Sequence, residues 1–299
     1  MNLKDLVKRV LPENAISSVS RARQKIKQAR IASLPLLDEN SFREILAGEL
    51  GLAEGDTVFV HSSIDQLNLD FPFYRVLALL QDVTGPSGTL LFPTYPQISS
   101  YEFLSRGKIF DVKKTPSYTG VLTEFARRQR KAVRSLHPTK SVCAIGPRAQ
   151  ALTSTHQRSP YPYDSCSPYY KIMEAGGKIV GLGVSTGNLS FVHCTDDALK
   201  DDFPVEPYHP QLFAAQCINY SGEVESVKSY AHDLRKMNHN IPLYVETHVP
   251  AEACRNLNIS GMKFFRADAR KLFDVMLRLG RDGITIYPRS AYSKKSARR

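Results

Sequence analysis

The sequence predicts a layered α/β protein. Short apolar strands alternate with amphipathic helices, turns rich in glycine and serine separate them, and 299 residues at 42% hydrophobic and 23% charged are enough for a substantial core. Residues 1–36 read as a basic arm, helical or partly ordered, with a turn near Pro12-Glu13-Asn14. The compact body begins at LLDENSFREILAGELGLAEGD, where Asp38 or Asn40 caps a helix. Phe42, Ile45, Leu46 and Leu50 share one face of that helix, and Gly51 ends it.

TVFVHSS follows as a short strand that delivers His61-Ser62-Ser63 to a sheet edge, where α/β proteins place chemistry. FPFYRVLALLQDVTG reads as a helix, PSGTLLFPTYPQ as a turn and buried strand, and TPSYTGVLTEFARRQRKAVRS as a turn and a helix entering near Gly120. HPTKSVCAIGPRAQALTSTH gives a strand and helix, and SPYYKIMEAGGKIVGLGV gives a helix, a Gly-Gly turn and a strand. Beyond about residue 205, the segments QCINYSGEVESVKSYAHDL, YVETHVPAEACRNL, MKFFRADARKLFDVMLRLG and GITIYP read as strands mixed with one helix at 268–279. Residues 290–299 form a basic tail.

The net charge of +11 resembles a nucleic-acid signature until it is located. Residues 1–31 hold eight basic side chains against two acidic, the last ten residues add four more basic ones, and the other 258 residues carry 28 basic and 27 acidic. The excess therefore lies in the termini, and no aromatic stacking platform or zinc-finger spacing accompanies it, so a solvated arm is the expectation and no nucleic-acid partner. No apolar run approaches the roughly 20 residues needed to span a bilayer, and no signal peptide is evident. Five widely spaced cysteines without a CxxC pair predict reduced thiols in a cytoplasmic protein.

The densest polar run, Gly183 to Asp197, follows the strand KIVGLGV. Its turn of Gly, Ser, Thr and Asn, opening a helix at Asn188 or Ser190, exposes amides and hydroxyls where an anion or acyl oxygen can be held. His193 and Asp196, three apart, share a helix face, so the carboxylate can orient the imidazole as a general base requires; a helix-surface pair is the plainer alternative. Ser62 and Ser63 lack a G-x-S-x-G elbow, which weakens a covalent serine mechanism, and Cys194 points away from His193 on a helix. His137, Thr139 and Ser141 precede a strand, while Asp164 stands just before a helix that Ser167 can cap; turn or cap chemistry explains each locally. The eight histidines are scattered and H-E-x-x-H is absent, so no metal is expected, and neither a P-loop nor G-x-G-x-x-G occurs.

GDTVFVHSSI (55–64), PSGTLLFPTY (86–95), TPSYTG (115–120), SLHPTKSVCAIGPRA (135–149), His156, DSCSPYYKI (164–172) and GGKIVGLGVSTGNLSFVH (176–193) together resemble the aminoglycoside 3-N-acetyltransferase family, which is acetyl-CoA-dependent and distinct from the GNAT enzymes. The resemblance covers residues 38–200 well and thins towards 289. It implies the family's α/β fold, a mixed central sheet with flanking helices, over a domain at 37–289. It implies His193 as the catalytic histidine, with Asp196 where relatives commonly have glutamate. His61, Ser62, Ser63 and Ile64 match the loop receiving the thioester end of acetyl-CoA, and Gly183, Ser185, Thr186 and Asn188 match a loop near the CoA cleft. His137, Thr139, Ser141, Asp164 and Asp197 are expected as substrate contacts or structural support.

The implied chemistry is direct acetyl transfer from acetyl-CoA, a co-substrate, to an amine at the 3-N position of 2-deoxystreptamine. His193 takes the amine proton, Asp196 steadies the imidazolium, and amides or a hydroxyl of the 61–64 loop stabilise the oxyanion, without a metal. The Asp196, Asp197, Asp201 and Asp202 cluster can attract a polycationic amino sugar or simply be solvated. DQLNLDFPFYRV stands where many resistance enzymes are glycine-rich, and with Asp196 and the basic arm this keeps open an amino sugar or sugar nucleotide of surface-polysaccharide or natural-product biosynthesis as acceptor. A serine hydrolase, a nucleic-acid or membrane-binding module and a homo-oligomer remain further alternatives.

Overall fold

The computed structural model describes residues 13–96, 99–237, 239–288 and 290; residues 1–12 of the expected arm and 291–299 of the expected tail lie outside them. The rest of the arm contains helix α1 (Glu13–Ala32), from which exposed Lys27 reaches Asp65, Nζ to Oδ2 at 2.6 Å. Helix α2 (Glu39–Glu44) opens on Asp38, whose carboxylate accepts from Ser41 N and so satisfies an otherwise unpaired amide of the first turn. Then come β1 (Thr57–Ser62), α3 (Arg75–Thr84), β2 (Thr89–Pro93), α4 (Ser100–Ser105), β3 (Phe110–Asp111) and α5 (Val121–Arg127). β4 (Val133–Arg134), β5 (Val142–Ile145), α6 (Ala149–Thr153), α7 (Pro168–Glu174), β6 (Lys178–Leu182) and α8 (His193–Leu199) follow. The last elements are β7 (Tyr208–Ile218), β8 (Val224–His232), α9 (Ile241–His248), β9 (Cys254–Ile259), β10 (Met262–Asp268) and α10 (Ala269–Arg281).

Seven strands form a mixed sheet in the order β4-β5-β2-β1-β6-β10-β9. β1 runs parallel to β2 and β6 at the centre, and the flanking pairs are antiparallel. Because side chains alternate across a strand, Val58 and Val60 face one core with Phe42, Leu46 and Leu80, while Phe59 faces the other with Ile172, Phe191 and Leu272. His61 continues the Phe59 side, its ring stacked on Phe59 at 5.1 Å. Gly181 on β6 makes room for the neighbouring strand, since a Cβ there would lie 2.1 Å from the Phe265 ring.

Four expectations require correction. A second sheet, β3-β7-β8, forms where the sequence reading left mixed strands; buried Phe213, Ala215 and Cys217 give β7 its two-residue period. The segment IPLYVETH at 241–248 is helical, with a proline in the first turn where its missing N–H costs no bond, so the 268–279 helix is not alone. GITIYP is irregular and belongs to no strand. The polar run after β6 opens no helix at Asn188 or Ser190; it passes through 3₁₀ turns at Thr186–Asn188 and Ser190–Val192, and α8 starts at His193.

Candidate active site

His193 occupies the first turn of α8, so the residue three positions on stands beside it. Asp196 Oδ2 lies 3.0 Å from His193 Nδ1, and both side chains are buried. The phenol of Tyr287 donates to the same Asp196 oxygen at 2.6 Å and lies 3.3 Å from His193 Nδ1. Burial and the Asp196 charge push the Tyr287 hydroxyl well above its ordinary range, so it remains a donor. With Nδ1 facing the carboxylate, Nε2 is the nitrogen left to exchange a proton. Sequence reasoning missed Tyr287 because it lies 91 residues from Asp196, in a segment read as a strand.

A wall of tyrosines adjoins this dyad. Tyr169 donates to Tyr95 (2.8 Å), Tyr95 donates to Ser190 Oγ (2.9 Å), and the Tyr163 ring lies 5.2 Å from that of His193. His232, at the end of β8, packs at a tilt between Tyr208 (4.5 Å) and His193 (4.9 Å), and among the described residues neither of its ring nitrogens has a partner. Burial, and then the charges of His193, Lys140 and His239, hold it well below the usual histidine range, so it is neutral.

The two expected cofactor loops meet. Ser63 N donates to Leu182 O at 2.9 Å, and Gly183, with φ of +72°, lets the chain pass where a Cβ would sit 2.3 Å from the Ser63 carbonyl oxygen. His61 Nε2 and Ser62 Oγ are buried without partners among the described residues, whereas Ser63 Oγ donates to Asp65 (2.5 Å) and Ile64 begins a 3₁₀ turn. Burial draws His61 down to about 3, leaving it neutral. Buried polar atoms are normally satisfied, so these two atoms are exceptions among the described residues. On the other loop Ser185 caps the turn, Asn188 is exposed, and Thr186 is tied down by Asn256, which donates to its hydroxyl (3.0 Å) and accepts from its N–H (2.9 Å).

The supporting residues divide. Ser141 Oγ donates to Thr94 O at 2.8 Å and accepts from Arg134, so its role is structural. Asp164 accepts from Ser159 and Cys166 in the turn before α7. Asp197 accepts from Tyr163 N (2.8 Å) and the Tyr208 phenol (2.7 Å), and burial raises its carboxyl well above the usual range. It is a buried brace, not a free charge for an acceptor. By contrast, His137 Nε2 and Thr139 Oγ1 are buried and have no partner among the described residues, the His137 ring stacking on His156 at 4.3 Å. Neither Ser62 nor Ser63 hydrogen-bonds a histidine among the described residues, so no serine triad is assembled. Cys194 is buried and inert in position, with its thiol driven well up by burial.

Among the described residues no His, Cys, Asp and Glu cluster is placed to hold a metal, and no helix is long and apolar enough to cross a membrane. A groove of about 860 Å³ behind α8 carries Asp201, Asp202, Glu206 and Asp233 together with Lys200 and Lys236, so its charge is mixed.

Relatives were found by sequence and by structure. The chain is 30% identical over 167 residues to aminoglycoside N(3)-acetyltransferase VII of Streptomyces paromomycinus, covering 51% of this chain and 57% of that protein. It is 28% identical over 159 residues to aminoglycoside N(3)-acetyltransferase III of Salmonella sp, covering 48% and 55%. The chain thus spans little more than half the length of these curated relatives. The crystal structure of aminoglycoside acetyltransferase AAC(3)-Xa superposes with a TM-score of 0.71 at 21% identity over 89% of this chain and 99% of that one. AAC-IIIb, solved as a binary complex with CoASH, gives 0.68 at 22% identity over 84% and 98%. These structures share the fold, and the sequence profile described as aminoglycoside 3-N-acetyltransferase matches residues 59–279, from β1 into α10; on that match the chain belongs to the aminoglycoside 3-N-acetyltransferase family.

Proposed function

We propose that this protein transfers the acetyl group of acetyl-CoA directly to an amine of an amino sugar, with the 3-N amine of 2-deoxystreptamine aminoglycosides, for which its relatives are named, as the first acceptor to test. The observation that carries the proposal is the buried His193–Asp196–Tyr287 arrangement, which leaves one imidazole nitrogen to accept a proton. An amine attacks only when neutral, so His193 Nε2 removes its proton while Nδ1–H donates to Asp196 and the carboxylate balances the imidazolium. Tyr287 shares the carboxylate and holds it in line. Acetyl-CoA, when bound, supplies the activated acyl carbonyl. His61, Ser62, Ser63 and Ile64 form one side of its proposed site, and Gly183, Ser185, Thr186 and Asn188 the other. Residues 37–289 make the proposed catalytic unit, and five free cysteines suit a reducing cytoplasm.

Thiol release from acetyl-CoA, with products identified by mass, tests the proposal in wild type and His193→Ala. Histidine-dependent acetylation of a 2-deoxystreptamine ring is the expected result. Lack of CoA binding by calorimetry overturns the cofactor assignment.

A further inference from the structure

Ser190 and His193 share one face of the turn that leads into α8. Ser190–Val192 is a 3₁₀ turn, the N–H of His193 bonds back to the Ser190 carbonyl, and in that geometry side chains three apart stand nearly above one another. Ser190 is half-buried, while Tyr163 and Tyr169 behind it are buried. The hydroxyl protons along this wall have a fixed direction. Tyr169 donates to Tyr95 (2.8 Å), and Tyr95 gives its one proton to Ser190 Oγ (2.9 Å). Tyr163 Oη, 3.4 Å from Tyr95 Oη, is therefore also a donor to it. Burial raises all three phenols above their ordinary range, so each keeps its proton. Ser190 Oγ thus accepts from Tyr95, and among the described residues no acceptor takes the proton of Ser190 itself.

Hydroxyls in series polarise one another, so the last O–H of the chain is strengthened as a donor. On the 61–64 loop, by contrast, the Ser63 hydroxyl and N–H are already committed to Asp65 and Leu182 O. We propose that the Ser190 hydroxyl is a catalytic donor to the acyl oxygen of the thioester, and that Tyr95 and Tyr169 position and polarise it. As the amine nitrogen bonds to the acyl carbon, the C=O π pair moves onto oxygen, where Ser190 meets the new charge, and the nitrogen's proton passes to His193 Nε2. The pair then returns, the C–S bond breaks, and the departing coenzyme thiolate takes the proton from His193. This rests on the acetyl-transfer reading and adds to it the group that faces the developing negative charge.

Steady-state kinetics on the full chain with acetyl-CoA and tobramycin compares wild type, Ser190→Ala, Ser190→Thr and Tyr95→Phe. Ser190→Ala is expected to lower kcat about 10²–10³-fold, the usual cost of removing one oxyanion donor, with both KM values within about threefold. Ser190→Thr keeps a hydroxyl and is expected to stay within about tenfold of wild type, and Tyr95→Phe to lose roughly tenfold. A readout that needs no turnover is the infrared carbonyl stretch of isotope-labelled acetyl-CoA bound without an acceptor, expected at lower frequency in wild type than in Ser190→Ala. A kcat loss below about tenfold in Ser190→Ala overturns the assignment, and so does a higher tobramycin KM at unchanged kcat, which gives Ser190 to acceptor binding. Equal losses in Ser190→Ala and Ser190→Thr with one carbonyl frequency in all three proteins make Ser190 structural and also overturn it. If wild type binds acetyl-CoA but spares tobramycin, the infrared comparison decides alone. Absence of acetyl-CoA binding in wild type defeats the acetyl-transfer reading instead, and that result is distinct from the others.

Discussion

Two cations six positions apart, buried Arg134 and half-buried Lys140, live in opposite circumstances. Arg134 is saturated: Nε donates to Thr94 Oγ1 (3.2 Å) and Ser141 Oγ (3.1 Å), Nη1 to Thr115 O (2.5 Å) and Nη2 to Thr94 O, with the Phe110 ring 4.7 Å away. Burial, reinforced by nearby Arg127, lowers it to about 9, but its hydrogen bonds bind strand β4 to the loop after β2 and to the 115 turn. Lys140 has the Tyr95 ring 4.5 Å from its ammonium and, among the described residues, no carboxylate or hydrogen-bond acceptor on it. The same division separates His156, bonded through both nitrogens to Ser135 and Pro162, from His232, bonded through neither. Satisfied polar groups hold a fold together, and unsatisfied ones leave binding capacity for a ligand.

The comparison predicts that damage to the two groups is felt in different measurements. On the open side, His193→Ala is expected to lower kcat by about 10²–10⁴-fold, the usual contribution of a general base, with little change in melting temperature. Steady-state kinetics paired with thermal melts will show this; a large stability loss with modest kinetic loss would make His193 structural. On the saturated side, Arg134→Met is expected to cost roughly 3–5 kcal/mol in urea unfolding because it strands several buried acceptors, with kcat of the folded protein within a few-fold of wild type.

Acid should weaken the fold through histidines from both groups. His61 and His156 are each held at about 3 by burial, far below an unfolded value near 6.5, so the fold favours their neutral forms. Their contribution is complete above about pH 6.5 and falls away as the pH drops towards 3, at about 1.4 kcal/mol per pH unit for each histidine. Urea midpoints between pH 8 and 5 measure the slope, and His61→Asn should flatten it by about one histidine's share. A slope unaffected by that substitution would show that His61 is not held neutral. Smallest is Tyr287→Phe, expected to reduce kcat about tenfold with the KM for acetyl-CoA unchanged, since one hydrogen bond to a charged carboxylate is lost. Equal changes in kcat and KM would point to a general loosening of the site.

What the sequence by itself determined is the local part of this protein. Strand alternation put Phe59 and His61 on one side of β1 and Val58 and Val60 on the other, and helical spacing paired His193 with Asp196, because both periodicities are properties of a few consecutive residues. Motif order carried the family and its mixed sheet. Capping at Asp38 and Ser167 was legible for the same local reason.

Tertiary structure alone decided which polar groups would be satisfied. Ser141 and Thr139 look alike as hydroxyls on one loop, yet Ser141 meets Thr94 and Arg134 while the Thr139 hydroxyl meets no partner among the described residues. Asp197 is an acidic neighbour of Asp196 in sequence, but Tyr163 and Tyr208 turn it into a brace. Tyr287, Asn256 and His232 join the site only after β8, β9 and the segment beyond α10 have packed, across separations that carry no sequence period. Burial completes the distinction, because it is the removal of water that makes an unpartnered nitrogen or ammonium costly and therefore ready for a ligand.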